Sequence, residues 1–173
     1  MRIPCSRCLI AAGAVLALSS CASPPVPVRT VPLGEKVTTG HLAYAAYETQ
    51  WLTHIGEGAT QRVPQNRFFL VRVAITNTGA DRLASPSLSV IDDSGGAYQE
   101  LSDGAGVPNW IGFLRQLGKG DTAQGNLVFD VPPRHYKLRV TDEDGQNAAL
   151  IDLPLEFTPE TPDLPLPDPT RKD

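Results

Sequence analysis

Apolar and polar residues alternate with a period of two through most of the central chain, the spacing of strands that bury one face. Phe69, Val71, Val73 and Ile75 share one side, while Phe68, Arg72, Ala74 and Thr76 share the other. Asn77-Thr78-Gly79 stops that run. Leu88 and Val90 begin another strand, closed by Asp92-Asp93-Ser94-Gly95-Gly96, whose glycines accept the positive φ of a hairpin turn. Leu127, Phe129 and Val131 alternate with Asn126, Val128 and Asp130 until Pro132-Pro133 breaks the ladder. Tyr136, Leu138 and Val140 then point inward against Lys137, Arg139 and Thr141. After a turn at Asp142-Glu143-Asp144-Gly145, Ala149, Ile151 and Leu153 supply a last strand. His41–Leu52 is strand-like too, but Tyr44 and Tyr47 fall on opposite faces, so a bulge or sheet switch is expected there. Leu101–Leu117 reads as a loop with one helical turn.

Six or seven short strands with turn signals between them predict an all-β fold, an antiparallel sandwich whose strands each wet one face. An eight-stranded closed barrel is the alternative, and it needs another regular strand within Leu101–Leu117. Composition agrees with strands and turns over long helices: 16 prolines and 15 glycines stand against one methionine.

The first 33 residues follow another pattern. Arg2 and Arg7 precede a short apolar run, Leu9–Leu18. Its ten residues are too few to span a bilayer, which takes about 20, but they suit the apolar region of a secretory leader. Leu18-Ser19-Ser20-Cys21 follows, and it resembles a bacterial lipobox. That resemblance implies cleavage before Cys21 and acylation of its thiol, with residues 1–20 removed as a signal peptide. Ala22 follows the cysteine where an aspartate suggests inner-membrane retention, so the resemblance implies an outer-membrane anchor facing the periplasm. Cys5 and Cys8 leave with the leader, so their redox or zinc-like spacing carries no chemistry and no disulfide is available. Residues 21–33 read as the lipidated cysteine and a proline-rich tether, 34–157 as one domain, and 158–173 as a disordered proline-rich acidic tail. Loss of Arg2 and Arg7 takes the formal net charge from −4 to −6, which disfavours a nucleic-acid partner.

Arg67-Phe68-Phe69-Leu70-Val71-Arg72-Val73-Ala74-Ile75-Thr76-Asn77, Leu88-Ser89-Val90-Ile91-Asp92-Asp93-Ser94-Gly95 and Gly125-Asn126-Leu127-Val128-Phe129-Asp130-Val131-Pro132 together resemble a bacterial family, the DUF4352-type domain of unknown function. The resemblance covers about residues 36–155. It implies an immunoglobulin-like β-sandwich of about seven strands, often carried on lipoproteins, and it brings no catalytic residues with it.

The residues themselves offer little chemistry. His41, His54 and His135 lack metal-ligand spacing, and no Gly-x-Ser-x-Gly elbow exists. Gly118-Lys119-Gly120-Asp121 lacks the frame of a phosphate loop and reads as a turn before a strand. Asp92-Asp93 and Asp142-Glu143-Asp144-Gly145 carry calcium-like ligands without the alternating loop, and read as turn residues. The stretch Trp110, Phe113, Leu114 and Arg115 is the candidate interaction surface. The favoured expectation for its apolar members is a plug closing one end of the sandwich against Phe129 or Val73. The expected function is non-catalytic, with no cofactor and no metal: an envelope module that binds a protein or cell-wall component. Two alternatives stand beside it: an enzyme or accessory subunit with a site assembled from distant residues such as His54 and Asp92, and a sandwich that binds a small ligand or ion between its sheets.

Overall fold

A computed structural model describes residues 28–156. In chain order the strands are β1 (Arg29–Val31), β2 (Lys36–Thr39), β3 (Leu42–Leu52), β4 (Arg67–Asn77), β5 (Leu83–Ser85), β6 (Ser89–Asp92), β7 (Ala97–Gln99), β8 (Arg115–Leu117), β9 (Thr122–Val131), β10 (Tyr136–Thr141) and β11 (Ala148–Leu153). One sheet runs β1-β11-β10-β6-β7, the other β2-β3-β4-β9, and β5 pairs with β8 in a short ladder of its own. The protein is an all-β sandwich, as its alternating pattern predicts.

The core lies between the two main sheets. Phe69, Val71, Val73 and Ile75 of β4 and Leu127, Phe129 and Val131 of β9 face Leu88, Val90, Tyr136, Leu138, Val140, Ile151 and Leu153 across it. These side chains are almost fully shielded from solvent, and aromatic rings cluster at one end of the core. Trp51 stacks on Phe69 with centroids 4.2 Å apart, and Tyr98 meets Tyr136 edge-on at 5.9 Å. Burial pushes the Tyr136 phenol up to about 12, and its hydroxyl donates to the Pro132 carbonyl at 2.7 Å.

The two tyrosines of β3 are reconciled as expected. The β3–β4 register shifts between Ala46 and Glu48, so Tyr47 is the extra residue of a bulge. Tyr44 stays in the core while Tyr47 is half exposed.

Three expectations need correction. The tether boundary at residue 33 is too late, because Arg29–Val31 forms an edge strand with Val31 in the core. That strand runs parallel to β11, so the sandwich is not antiparallel throughout. Leu101–Leu117 contains no helical turn; it ends in β8, whose Leu117 enters the core. This strand closes no barrel, since it pairs only with β5. Cys21 and the tail 158–173 lie outside the described residues.

Candidate interaction site

The outer face of the β2-β3-β4-β9 sheet is not uniformly wet. Phe68 and Leu70 of β4 and Val128 of β9 point away from the main core and found a second, smaller cluster with Ile55 and Val107. Leu52, Leu101 and Trp110 pack around it. Two loops supply its cover: 53–66 after β3, and 100–114 before β8.

Each loop is fastened by identifiable bonds. Ile55 and Arg62 exchange backbone hydrogen bonds of 3.0 and 2.8 Å, pinching the first loop into a short ladder. The Arg62 guanidinium then reaches the second loop, donating to the carbonyls of Ala105 at 2.8 Å and Asp103 at 3.3 Å. It also lies over the Phe68 ring, 5.7 Å from the centroid, a cation–π placement. The second loop follows the free edge of β9. Leu101 N–H donates to the Val128 carbonyl at 2.8 Å, and Asn126 N–H to the Asn109 carbonyl at 2.8 Å.

Two glycines make this closeness possible. A Cβ on Gly104 would sit 2.0 Å from the Trp110 ring, and one on Gly125 would sit 2.4 Å from the Asn109 carbonyl oxygen. Asn109 itself takes a left-handed φ of 48°, which asparagine tolerates better than most residues.

Beside this cluster lies an open groove of about 340 Å³, lined by Leu52, His54, Ile55, Gly56, Glu57, Gly106 and Pro108. Leu52, Ile55 and Pro108 give it apolar lining, and His54 and Glu57 add polar groups. A groove of this size is at the lower end of what small ligands occupy. A smaller polar cleft of about 60 Å³, between Glu48, Gln50, Arg72, Asn109 and Asn126, has room for water alone.

Trp110 is half-buried against the small cluster on the outer sheet face, not at a sandwich end, and Phe129 and Val73 belong to the other cluster. This corrects the expected plug. The indole Nε1 is buried without a hydrogen-bond partner among the described residues. Phe113 is half-buried, and Leu114 is 89% exposed. Arg115 is no surface residue at all: it is 4% exposed and bridges to the buried Glu100. Its Nη1 donates to Glu100 Oε1 at 3.0 Å, Nη2 closes the bidentate pair with Oε2, and Glu100 Oε1 also accepts the Leu88 N–H at 2.7 Å. The four candidate residues therefore separate into a cluster member, a half-buried neighbour, one exposed leucine and a buried ion pair. Ile55, Arg62, Val107 and the loop glycines are the site residues that sequence reading missed. The one signal for them was Ile55, a branched apolar residue immediately before a glycine-rich turn.

The acidic turns use their oxygens locally. Asp92 accepts from the Ser94 hydroxyl at 2.6 Å and the Gly96 N–H at 2.8 Å, which with further bonds hold its carboxyl down at about 2. Arg134 reaches its other oxygen at 3.0 Å. Asp142 accepts from the Gln146 and Asn147 backbone. Among the described residues no group of three His, Cys, Asp or Glu side chains is placed to hold a metal. No hydrogen bond joins His54 to Asp92 among the described residues: His54 bonds to Thr53 at 3.1 Å, and Asp92 bonds within its own hairpin and to Arg134.

At the opposite end of the sandwich His41 meets Glu143. The imidazole Nδ1 faces one carboxylate oxygen, and the His41 N–H donates to the other at 3.1 Å. The Glu143 carboxylate raises the His41 pKa above its ordinary 6.5, and the imidazole in turn lowers that of Glu143 below 4.5. With Asp81 and Leu83 they line a shallow cleft of about 250 Å³.

Residues 31–148 match the family described as a domain of unknown function, DUF4352. No curated protein matches the chain. Among solved structures, the yjhA protein from Bacillus subtilis is 16% identical and superposes with a TM-score of 0.55 over 71% of this chain and 98% of its own. MPT63, a secreted protein from Mycobacterium tuberculosis, is 16% identical with a TM-score of 0.51, covering 74% of this chain and 98% of its own. The ycdA protein of Bacillus subtilis, described as a putative lipoprotein, is 13% identical with a TM-score of 0.51, covering 69% of this chain and 38% of its own. At such identities the likeness is one of fold.

Proposed function

The chain belongs to the DUF4352 family of domains of unknown function, and from that premise we propose that it is a non-catalytic binding or assembly module of the cell envelope. It is anchored by lipid on Cys21, in the outer membrane facing the periplasm, and it recruits a protein or a cell-wall component. Leu18-Ser19-Ser20-Cys21 supports the anchor. The secreted and lipoprotein descriptions of two structural neighbours agree with a life outside the cytoplasm. The observation that carries the binding role is the open groove between the 53–66 and 100–114 loops, where Leu52, Ile55 and Pro108 sit beside His54 and Glu57. Two loops held in place by Arg62 and by β9 form a preorganised surface, which lowers the ordering cost of binding.

A photo-crosslinking residue at Glu57, on the groove, tests this in intact cells against the same residue at exposed Gln99 on the other sheet. A discrete adduct from the groove position and none from Gln99 is the expected result. Equal labelling at both, or none at either, refutes the groove as the binding surface.

A further inference from the structure

The strand register sorts the loops into two ends. Arg29 pairs with Ala149 in parallel β1 and β11, so Val28 lies beside the start of β11. The turn 142–147 is at that end, joined to His41 through Glu143. Leu42 pairs with Asn77 and Thr76 with Thr122, which brings 77–81 and 118–121 there too. At the other end Leu52 pairs with Phe68, Arg67 with Val131 and Tyr136 with both Asp92 and Leu153. That far end therefore carries the 53–66 loop, the Asp92–Gly96 turn and residues 132–135.

Length makes this sorting consequential. The eleven residues of β4 span about 36 Å at ~3.3 Å each. Only seven Cα steps separate Cys21 from Val28, a reach of at most about 25 Å. A domain held that closely lacks the slack to turn end over end onto the bilayer.

We infer that the anchored protein keeps its His41–Glu143 end nearer the membrane than its 53–66 end. This rests on the reading of Cys21 as the lipid attachment site. The groove beside Leu52 and Ile55 is then turned toward the compartment.

Fluorescence quenching on vesicles tests the orientation. The acylated chain carries no other thiol once Cys5 and Cys8 are removed with the leader, so single cysteines are clean labelling sites. Lys119→Cys and Asp144→Cys report the near end; Val63→Cys and Gln65→Cys report the far end, all at exposed positions. The acylated full-length variants are reconstituted in phosphatidylcholine vesicles with a headgroup-attached quencher. Probes at 119 and 144 should lose most of their emission, and probes at 63 and 65 little. Equal quenching at both ends, or the reverse order, overturns the orientation. Mass spectrometry of the N-terminal peptide separates the premise: without an acyl group on Cys21 the anchor reading fails and the orientation falls with it. An acylated protein with equal quenching fails on orientation alone.

Discussion

Replacing Arg115 with methionine should be the most damaging single change in the 100–115 segment. Its side chain and that of Glu100 are 1% and 0% exposed, so the pair is fully desolvated. At the 3.0 Å separation of Nη1 and Oε1, opposite charges attract by about 5 kcal/mol for an effective dielectric near 20. Desolvation of both groups offsets much of that, so the intact pair adds little net stability. The asymmetry appears when one partner is removed. Arg115→Met leaves Glu100 as an uncompensated buried carboxylate whose remaining donor is the Leu88 N–H, and breaking such pairs costs about 3–5 kcal/mol. Glu100→Gln in the same chain should restore most of the loss, because the amide oxygen still accepts from Leu88 while the charge is gone. The double variant should lie within about 1.5 kcal/mol of the native protein. Arg115 Nε has no partner among the described residues, so removing the guanidinium also removes one unmet donor. Urea titrations at pH 7, followed by far-UV circular dichroism, measure all three proteins. If Arg115→Met costs under about 1 kcal/mol, the pair behaves as a solvated surface bridge and the reasoning fails.

Trp110→Ala should cost about 2 kcal/mol, below the 3–5 of fully buried aromatics, because the ring is half-buried and its Nε1 is unpaired; urea unfolding of the variant checks this, and a change within 0.5 kcal/mol contradicts the packing described. Leu114→Ser, at an 89% exposed position, should leave the midpoint unchanged in the same titration. The His41–Glu143 pair should leave a signature in pH. The raised His41 pKa contributes stability fully below about 6.5, lost as pH rises through its folded value; the lowered Glu143 pKa contributes above about 4.5, lost on acidification. His41→Ala should therefore lose most relative to the native protein between those two values, and a loss uniform from pH 4 to 9 contradicts the pairing. Cys21→Ala should abolish acylation and membrane retention, read by palmitate labelling and detergent partitioning; a processed, membrane-bound variant overturns the lipoprotein reading.

The strands legible in the sequence are those that bury one whole face. In β4, β9, β10 and β11 alternate side chains must leave water together, and the energetics of that burial is written as a period of two. Even the β3 bulge was legible, because one extra residue puts Tyr44 and Tyr47 out of phase. The turn chemistry followed from Asp and Gly types alone, and Asp92 and Asp142 accept from their own turns accordingly.

What the tertiary structure decided is the fate of residues whose partners lie far along the chain. Arg29–Val31 shows no strand alternation of its own; it is a strand because the edge of β11 offers it unpaired backbone groups. Three residues of β8 carry no usable period, yet Leu117 is drawn into the core and Arg115 against Glu100, fifteen residues earlier. Arg115 reads as an interface residue because tryptophan and arginine are typical hot-spot types; only a buried carboxylate at the right distance makes its desolvation tolerable. The groove likewise depends on Arg62 reaching the 103–105 carbonyls and on glycines letting loops approach a ring and a strand. Local pattern records which faces leave water, whereas the pairing of loops and charges is a property of distances that exist only after the sheets have packed.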